Sequence, residues 1–206
     1  MKKIAITVAM LAVAVGAFAQ GQITFNNRAG VDAPIYGPNP LSLDTRKAGR
    51  STTNGGSVDY TGYPLLAGTT FTAELWALNP NTGAFEALGG ASAKVGFRTG
   101  TTAGFILNQA AAVSVPWITA NGTVQSYQVR AWANGGNAAS TYADALMGLR
   151  AVGISDTFNT ATATAPATPG SIVGLTSFNL TTVVPEPGVI ALGVLGLGAL
   201  LLRRRK

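Results

Sequence analysis

The 206-residue chain predicts an all-β fold, an antiparallel β-sandwich of Ig-like or jelly-roll type occupying residues 20–182. Three observations predict it. Thr70 to Leu78 alternates, with Phe71, Ala73, Leu75 and Ala77 on one face and Thr72, Glu74 and Trp76 on the other; a period of two marks a half-buried strand. Short apolar runs recur along the segment between Gly, Asn and Pro, in the manner of sandwiches and barrels. Helical propensity is confined to one short stretch, Ser140 to Met147.

The elements follow in order. Gln22-Ile23-Thr24-Phe25 opens the domain as an alternating strand. Residues 32–64, rich in Pro, Gly, Ser and Thr, read as a long loop or a decorated edge. After the strand at 70–78, Asn79-Pro80-Asn81-Thr82-Gly83 supplies turn chemistry, so Ala84 to Leu88 returns as its hairpin partner. Further strands are expected at 93–98, 104–107, 111–115, 124–133, 149–155 and 172–180. Asn121-Gly122 and Asn134-Gly135 bracket the strand at 124–133, and both pairs tolerate positive φ. Trp117, directly after Pro116, is expected to anchor a strand end. Thr157 to Ser171 (TFNTATATAPATPGS) is so rich in Thr, Ala and Pro that it reads as a flexible surface loop, its hydroxyls open to glycosylation.

The net charge of +6 is misleading. Lys2, Lys3 and the four terminal residues carry six of the positive charges, and residues 20–184 balance eight basic side chains against seven acidic ones. No basic patch is dense enough to compete for phosphates, which excludes nucleic acid as a partner. The chain has no Cys and no His, so stability must come from a core, and a domain of this size buries roughly 70% of its unfolded surface. The same absences exclude a Cys nucleophile, a Ser-His pair and a His/Cys zinc site. No calcium-loop motif occurs, and no metal or cofactor is expected.

The remaining catalytic route is a carboxylate pair, as in glycoside hydrolysis. Asp44, Asp59, Glu74, Glu86, Asp144 and Asp156 are available, but no two sit in contexts that would push their pKa values apart, and no enzyme is expected. Trp76 and Trp132 are the candidate carbohydrate-binding residues. Trp76 is in register with Thr72 and Glu74, and Trp132 with Gln128 and Arg130, so each lies on the more polar face of its strand. A Trp beside hydrogen-bonding side chains is a platform for a sugar ring. The alternative is that a loop or second sheet covers that face, with Trp132 over the Arg130 stem.

Both ends carry sorting information. Lys2-Lys3, the apolar run Ile4 to Val15 and Ala17-Phe18-Ala19 before Gln20 form a secretory signal peptide, residues 1–19, with cleavage expected between Ala19 and Gln20. At the other end, residues 183–206 begin with two valines, followed by Pro185-Glu186-Pro187 and the uncharged run 188–202. Arg203, Arg204, Arg205 and Lys206 end the chain. The 15-residue run rises roughly 22 Å as a helix, against a hydrocarbon core of about 30 Å. Val183, Val184 and snorkelling arginines bring it near a minimal transmembrane span. The basic end holds the C-terminus in the cytoplasm and everything upstream on the far side. Two prolines around one residue keep the motif extended, a shape suited to a protease cleft.

Val-Pro-Glu-Pro followed by a Gly/Leu-rich helix and an Arg cluster resembles the bacterial PEP-CTERM sorting signal. The resemblance implies recognition at Pro185, Glu186 and Pro187 by an exosortase, a multi-pass membrane enzyme that cuts near the motif. It implies export to the cell surface or extracellular matrix of a Gram-negative-type bacterium that makes exopolysaccharide. Four segments of the body, 23–28 (ITFNNR), 33–36 (APIY), 97–100 (FRTG) and 129–132 (VRAW), are similar to a group of short exported proteins with the same tail in Verrucomicrobia-like bacteria. That likeness implies a shared domain and location, and no activity. The expected role is structural and non-enzymatic; the alternative is a lectin-like module that binds exopolysaccharide.

Overall fold

The computed structural model describes residues 20–28, 30–42, 45–107 and 112–182. The signal segment with Ala17 and Ala19, Asp44, the sorting motif Pro185-Glu186-Pro187, the apolar run 188–202 and the basic residues 203–206 lie outside the described residues. Among the described residues no helix is long and apolar enough to cross a membrane.

The fold is all-β, with mostly antiparallel pairing and, among the described residues, one short α-helix and two 3-10 turns. The largest sheet has six strands. Its centre is β3 (Phe71–Asn79) against β7 (Val124–Ala133), antiparallel from Phe71↔Ala133 to Ala77↔Tyr127. The hairpin expected after β3 forms: β4 (Ala84–Ala87) returns along it with Asn79 opposite Ala84. Asn79 Oδ1 accepts from the Asn81 amide at 2.9 Å and Gly83 takes φ 69°, so side-chain capping and a left-handed glycine reverse the chain. Short β5 (Lys94–Val95) also pairs β3, while β8 (Val152–Ile154) and β9 (Phe158–Ala161) pair β7.

A second sheet gathers around β1 (Gly21–Thr24). β6 (Val113–Val115) and β10 (Ala163–Thr164) run antiparallel to it, and β11 (Gly170–Ser171) runs parallel. A small third sheet pairs β2 (Ile35–Tyr36) with β12 (Phe178–Asn179) in parallel. One hydrophobic core joins all three: Ile23, Val113 and Val115, then Leu75, Val129 and Ala131, then Ile35 and Phe178 belong to a single buried cluster. Alternation explains this, since Ala73, Leu75 and Ala77 all point inward from β3 at 0% exposure. Trp117, just beyond β6, packs against the same core.

The expected strands are present but shorter at several places. Residues 104–107 contribute one bridge, Phe97↔Ile106, and 172–180 contributes β12 alone. The helix α1 (Tyr142–Met147) starts two residues later than Ser140, because Thr141 is its cap. The Thr141 hydroxyl accepts from the Asp144 amide while the Asp144 carboxylate accepts from the Thr141 amide, a reciprocal capping box.

One expectation is corrected. Thr157 to Ser171 is not a loop: it contains β9, β10 and β11. In β9, Phe158 and Thr160 are buried and Asn159 and Ala161 exposed, the alternation of an edge strand on a covered face. Threonine is β-branched and suits a strand, which its repetition beside Ala and Pro concealed.

Candidate functional site

The two candidate sugar-binding tryptophans project from the outer face of the six-stranded sheet, opposite the main core. The register puts Thr72 beside Trp132, Glu74 beside Arg130 and Trp76 beside Gln128. On the other side of β3, Lys94 faces Glu74, so a cation, a carboxylate and a second cation form a row across β5, β3 and β7.

This face is covered. α1 lies over it, and Trp132, Tyr142, Ala145 and Val152 form a second hydrophobic cluster that Trp76 and Ile154 border. Tyr142 meets the Trp132 ring edge-on at 6.1 Å, and Trp132 Nε1 donates to Ser140 Oγ at 3.2 Å. Lys94 sits 5.5 Å from the Trp132 ring centre and donates to the carbonyls of Ala139 and Ser140. Trp132 is 0% exposed. The expectation that Trp132 stacks a sugar is therefore corrected, because no ring can reach it; its face is covered, but by α1 and its approach instead of a loop or second sheet, and Lys94 lies over its ring while Arg130 stacks on Trp76.

Trp76 is half-buried, and the Arg130 guanidinium lies over its ring at 3.7 Å. Arg130 also faces Tyr142 at 5.5 Å, so a planar cation fills the space between two aromatic rings. Trp76 Nε1 donates to Glu74 Oε2 at 3.0 Å. Burial pushes the Glu74 carboxyl above its ordinary value, opposed by that hydrogen bond and by Lys94 and Arg130. The cluster has the contents of a ligand platform, but its own rings and cations stack on one another, and the buried Arg130 Nε is left without a hydrogen-bond partner.

The other candidate acids serve local structure. Asp59 accepts from Thr61, Glu86 from Asn79 and Thr82, and Asp144 from Thr141, and these bonds lower all three carboxyls. Asp156 pairs with Arg46 at 2.9 Å. The first three hold their own turns, and the exposed Asp156–Arg46 pair links two distant stretches. Among the described residues no three His, Cys, Asp or Glu side chains gather as a metal site.

Three stretches of the chain meet at Asn27. Its Nδ2 donates to the carbonyls of Ala33 and Gly104 at 2.8 and 3.0 Å, and its Oδ1 accepts from the Ile106 amide at 2.9 Å. At 0% exposure it ties 23–28 to the start of β2 and to the 97–106 bridge. Nearby, Tyr36 and Tyr60 stack at 4.2 Å, Tyr63 meets Tyr60 edge-on, and Tyr60 donates to the Ser177 carbonyl at 2.7 Å. That aromatic cluster orders the Pro/Gly-rich 32–64 stretch.

A cavity of about 250 Å³ lies between Gly30–Ala33, Arg50 and Gly174–Ser177. The sequence reading missed it, since residues 30–50 meet a loop more than a hundred residues further on, and none of these stretches carries a motif.

Fold and site together define an all-β body of small paired sheets around one core, with one short α-helix laid over its largest sheet. No family model matches the chain, and neither does any curated protein or solved structure compared with it.

Proposed function

We propose that the chain is an exported, non-enzymatic surface or matrix protein, built on a β-sandwich of Ig-like or jelly-roll type and processed by an exosortase at Pro185-Glu186-Pro187. The observation that carries this reading is the order of the last residues: a Pro-Glu-Pro motif, an uncharged apolar run and four terminal cations. An apolar run ending in such a cluster suits a bilayer and has no place in a domain core.

The ends of the described residues support it. Among the described residues strand pairing begins at Gly21, two residues after the expected signal cut at Ala19, and Gln20 accepts from Ser114 Oγ at 2.6 Å. At the far end Thr181 exchanges two backbone hydrogen bonds with Val152, at 2.9 and 2.8 Å. The sorting motif follows four residues later, so cuts at both expected places leave every described strand intact. Sharing of one core between the β1 sheet and the β3–β7 sheet supports the sandwich.

The test is replacement of Pro185-Glu186-Pro187 by three alanines in the native host. The variant is expected to stay in the membrane fraction at unprocessed mass. Release at the wild-type mass would defeat the proposal.

A further inference from the structure

We infer that the exposed tip of α1, formed by Leu146, Met147 and Leu149, is a lipid-contact surface that rests on the bilayer holding the C-terminal tail. The inference rests on the reading of residues 188–202 as a membrane span. Met147 is 77% exposed and Leu149 51%, with Leu146 beside them, so three large apolar side chains crowd one helix end. Among the described residues the other large exposed apolar side chains stand singly along the chain.

The backbone at this tip is unusual. α1 ends in a Schellman motif: the Arg150 amide donates to the Ala145 carbonyl at 2.9 Å, and the Leu149 amide to the Leu146 carbonyl at 3.1 Å. The residue after the cap in this motif is left-handed and usually glycine, yet here it is Leu149, at φ 52°. Glycine stands one place earlier, at the cap itself. A leucine in the left-handed region is costly, and about half of its surface stays in water. Strain that holds an apolar side chain outward is a reason to look for what it touches.

The course of the chain names the occupant. Thr181 pairs antiparallel with Val152 through two backbone hydrogen bonds, so Thr182 lies beside Ala151 and the described chain ends heading toward Leu149. Leu149 is three residues from Val152, at most about 11 Å along the backbone. From Thr182 to Gly188, the first residue of the apolar run, is six residues, a reach of at most about 22 Å. The headgroup layer takes up about 5–8 Å of that reach on its side of the hydrocarbon core. The body is therefore held against the membrane surface, and it turns there the end by which its chain leaves, which is the α1 tip. Apolar side chains suit the boundary between headgroups and acyl chains. The two charged residues of the stretch 141–151, Asp144 and Arg150, offset each other, so no net charge opposes the contact.

The chain has no cysteine, so single fluorescent labels can be placed by substitution. Met147→Cys, Val124→Cys and Leu195→Cys each receive an environment-sensitive fluorophore in the full-length chain. It is made in a bacterial host without exosortase, which keeps the tail, and reconstituted in phosphatidylcholine–phosphatidylglycerol vesicles with or without nitroxide-bearing lipid. Val124 is the exposed control: it starts β7, eight residues or about 26 Å from Trp132, the residue that pairs with Val152. Quenching at position 147 is expected to be at least threefold stronger than at 124, with position 195 quenched as well. Leu149→Gly, which suits the left-handed backbone, is expected to keep or raise the thermal midpoint while it at least halves quenching at 147. Quenching at 195 with none above the control at 147 would overturn this inference alone. No quenching at 195 would defeat the membrane reading and this inference with it. A blue-shifted but unquenched label at 147 would assign the tip to a second copy of the chain, and quenching unchanged by Leu149→Gly would reduce the contact to proximity imposed by the tether; both overturn the inference.

Discussion

The guanidinium carbon of Arg130 stands 3.7 Å from the centre of the Trp76 ring, on the face of the sheet that α1 covers. A cation stacked on an aromatic ring and shielded from water is worth between about 0.5 and 2 kcal/mol. In a double-mutant cycle of Arg130→Ala and Trp76→Ala, read by denaturant unfolding, a coupling energy of that size is expected. Arg130→Lys should not restore it, because a lysine ammonium lacks the planar stacking surface. Zero coupling would mean that the two side chains are neighbours only.

Trp132 should behave as core. Its truncation to Ala is expected to cost about 3–5 kcal/mol, as for other fully buried large aromatics. The same measurement checks it, and a loss below about 1 kcal/mol would contradict burial beneath α1.

Glu74 should leave a signature in the pH dependence of stability. Burial raises its carboxyl pKa in the folded state above the unfolded value of about 4.3. The folded chain therefore holds that proton more tightly, and the stabilisation is complete below the unfolded pKa. It is lost as pH rises through the folded pKa and stays flat beyond. Asp59, Glu86 and Asp144 are lowered instead, so their contribution has the opposite sign and disappears as pH falls through their folded pKa values. Subtracting the Glu74→Gln profile isolates Glu74: wild-type stability minus variant stability should fall with rising pH from about pH 4 and then level off. A difference that rises over the same window would refute it.

Asn27 predicts a large penalty for a small change. Asn27→Ala removes partners from the Ile106 amide and the carbonyls of Ala33 and Gly104. Each buried group left unpaired costs about 1–3 kcal/mol, so a loss of at least about 2 kcal/mol is expected in chemical denaturation. Asn27→Asp should not rescue, since a carboxylate has no donor for the two carbonyls. A near-neutral Asn27→Ala would show that the three segments do not depend on it.

Gly153 marks where β8 meets β12. A Cβ there would lie 2.7 Å from the Asn179 carbonyl oxygen, so the backbones would have to part. Gly153→Ala is expected to destabilise by about 1–3 kcal/mol, in the range of overpacking, and a stability scan of that single variant checks it. An unchanged midpoint would mean that the two strands are further apart.

What could be read from the chain depended on whether the signal was local. β7 appears with its expected limits, and the β3–β4 hairpin follows from Asn79 and Gly83, because alternation and turn chemistry are properties of neighbours in sequence. α1 was displaced by two residues since Thr141 and Asp144, rather than Ser140, make the cap. The β9–β11 region was hidden because low-complexity composition outweighed the alternation of Phe158 and Thr160. The fate of Trp132 depended on a helix folding back across β7; the apolar Tyr142 and Ala145, three apart on α1, were the available hint. The cavity at Asp32, Arg50 and Ser177 had no local signal at all, since loops more than a hundred residues apart meet there.

The most direct measurement is the intact mass of the wild-type protein recovered from the surface or matrix fraction of its own cells. Removal of residues 1–19 and of the segment after the Pro-Glu-Pro region gives a chain that starts at Gln20 and ends near the motif at 185–187, and that is the expected mass. The mass of the whole chain, Met1 to Lys206, found in the soluble cytosolic fraction would contradict it.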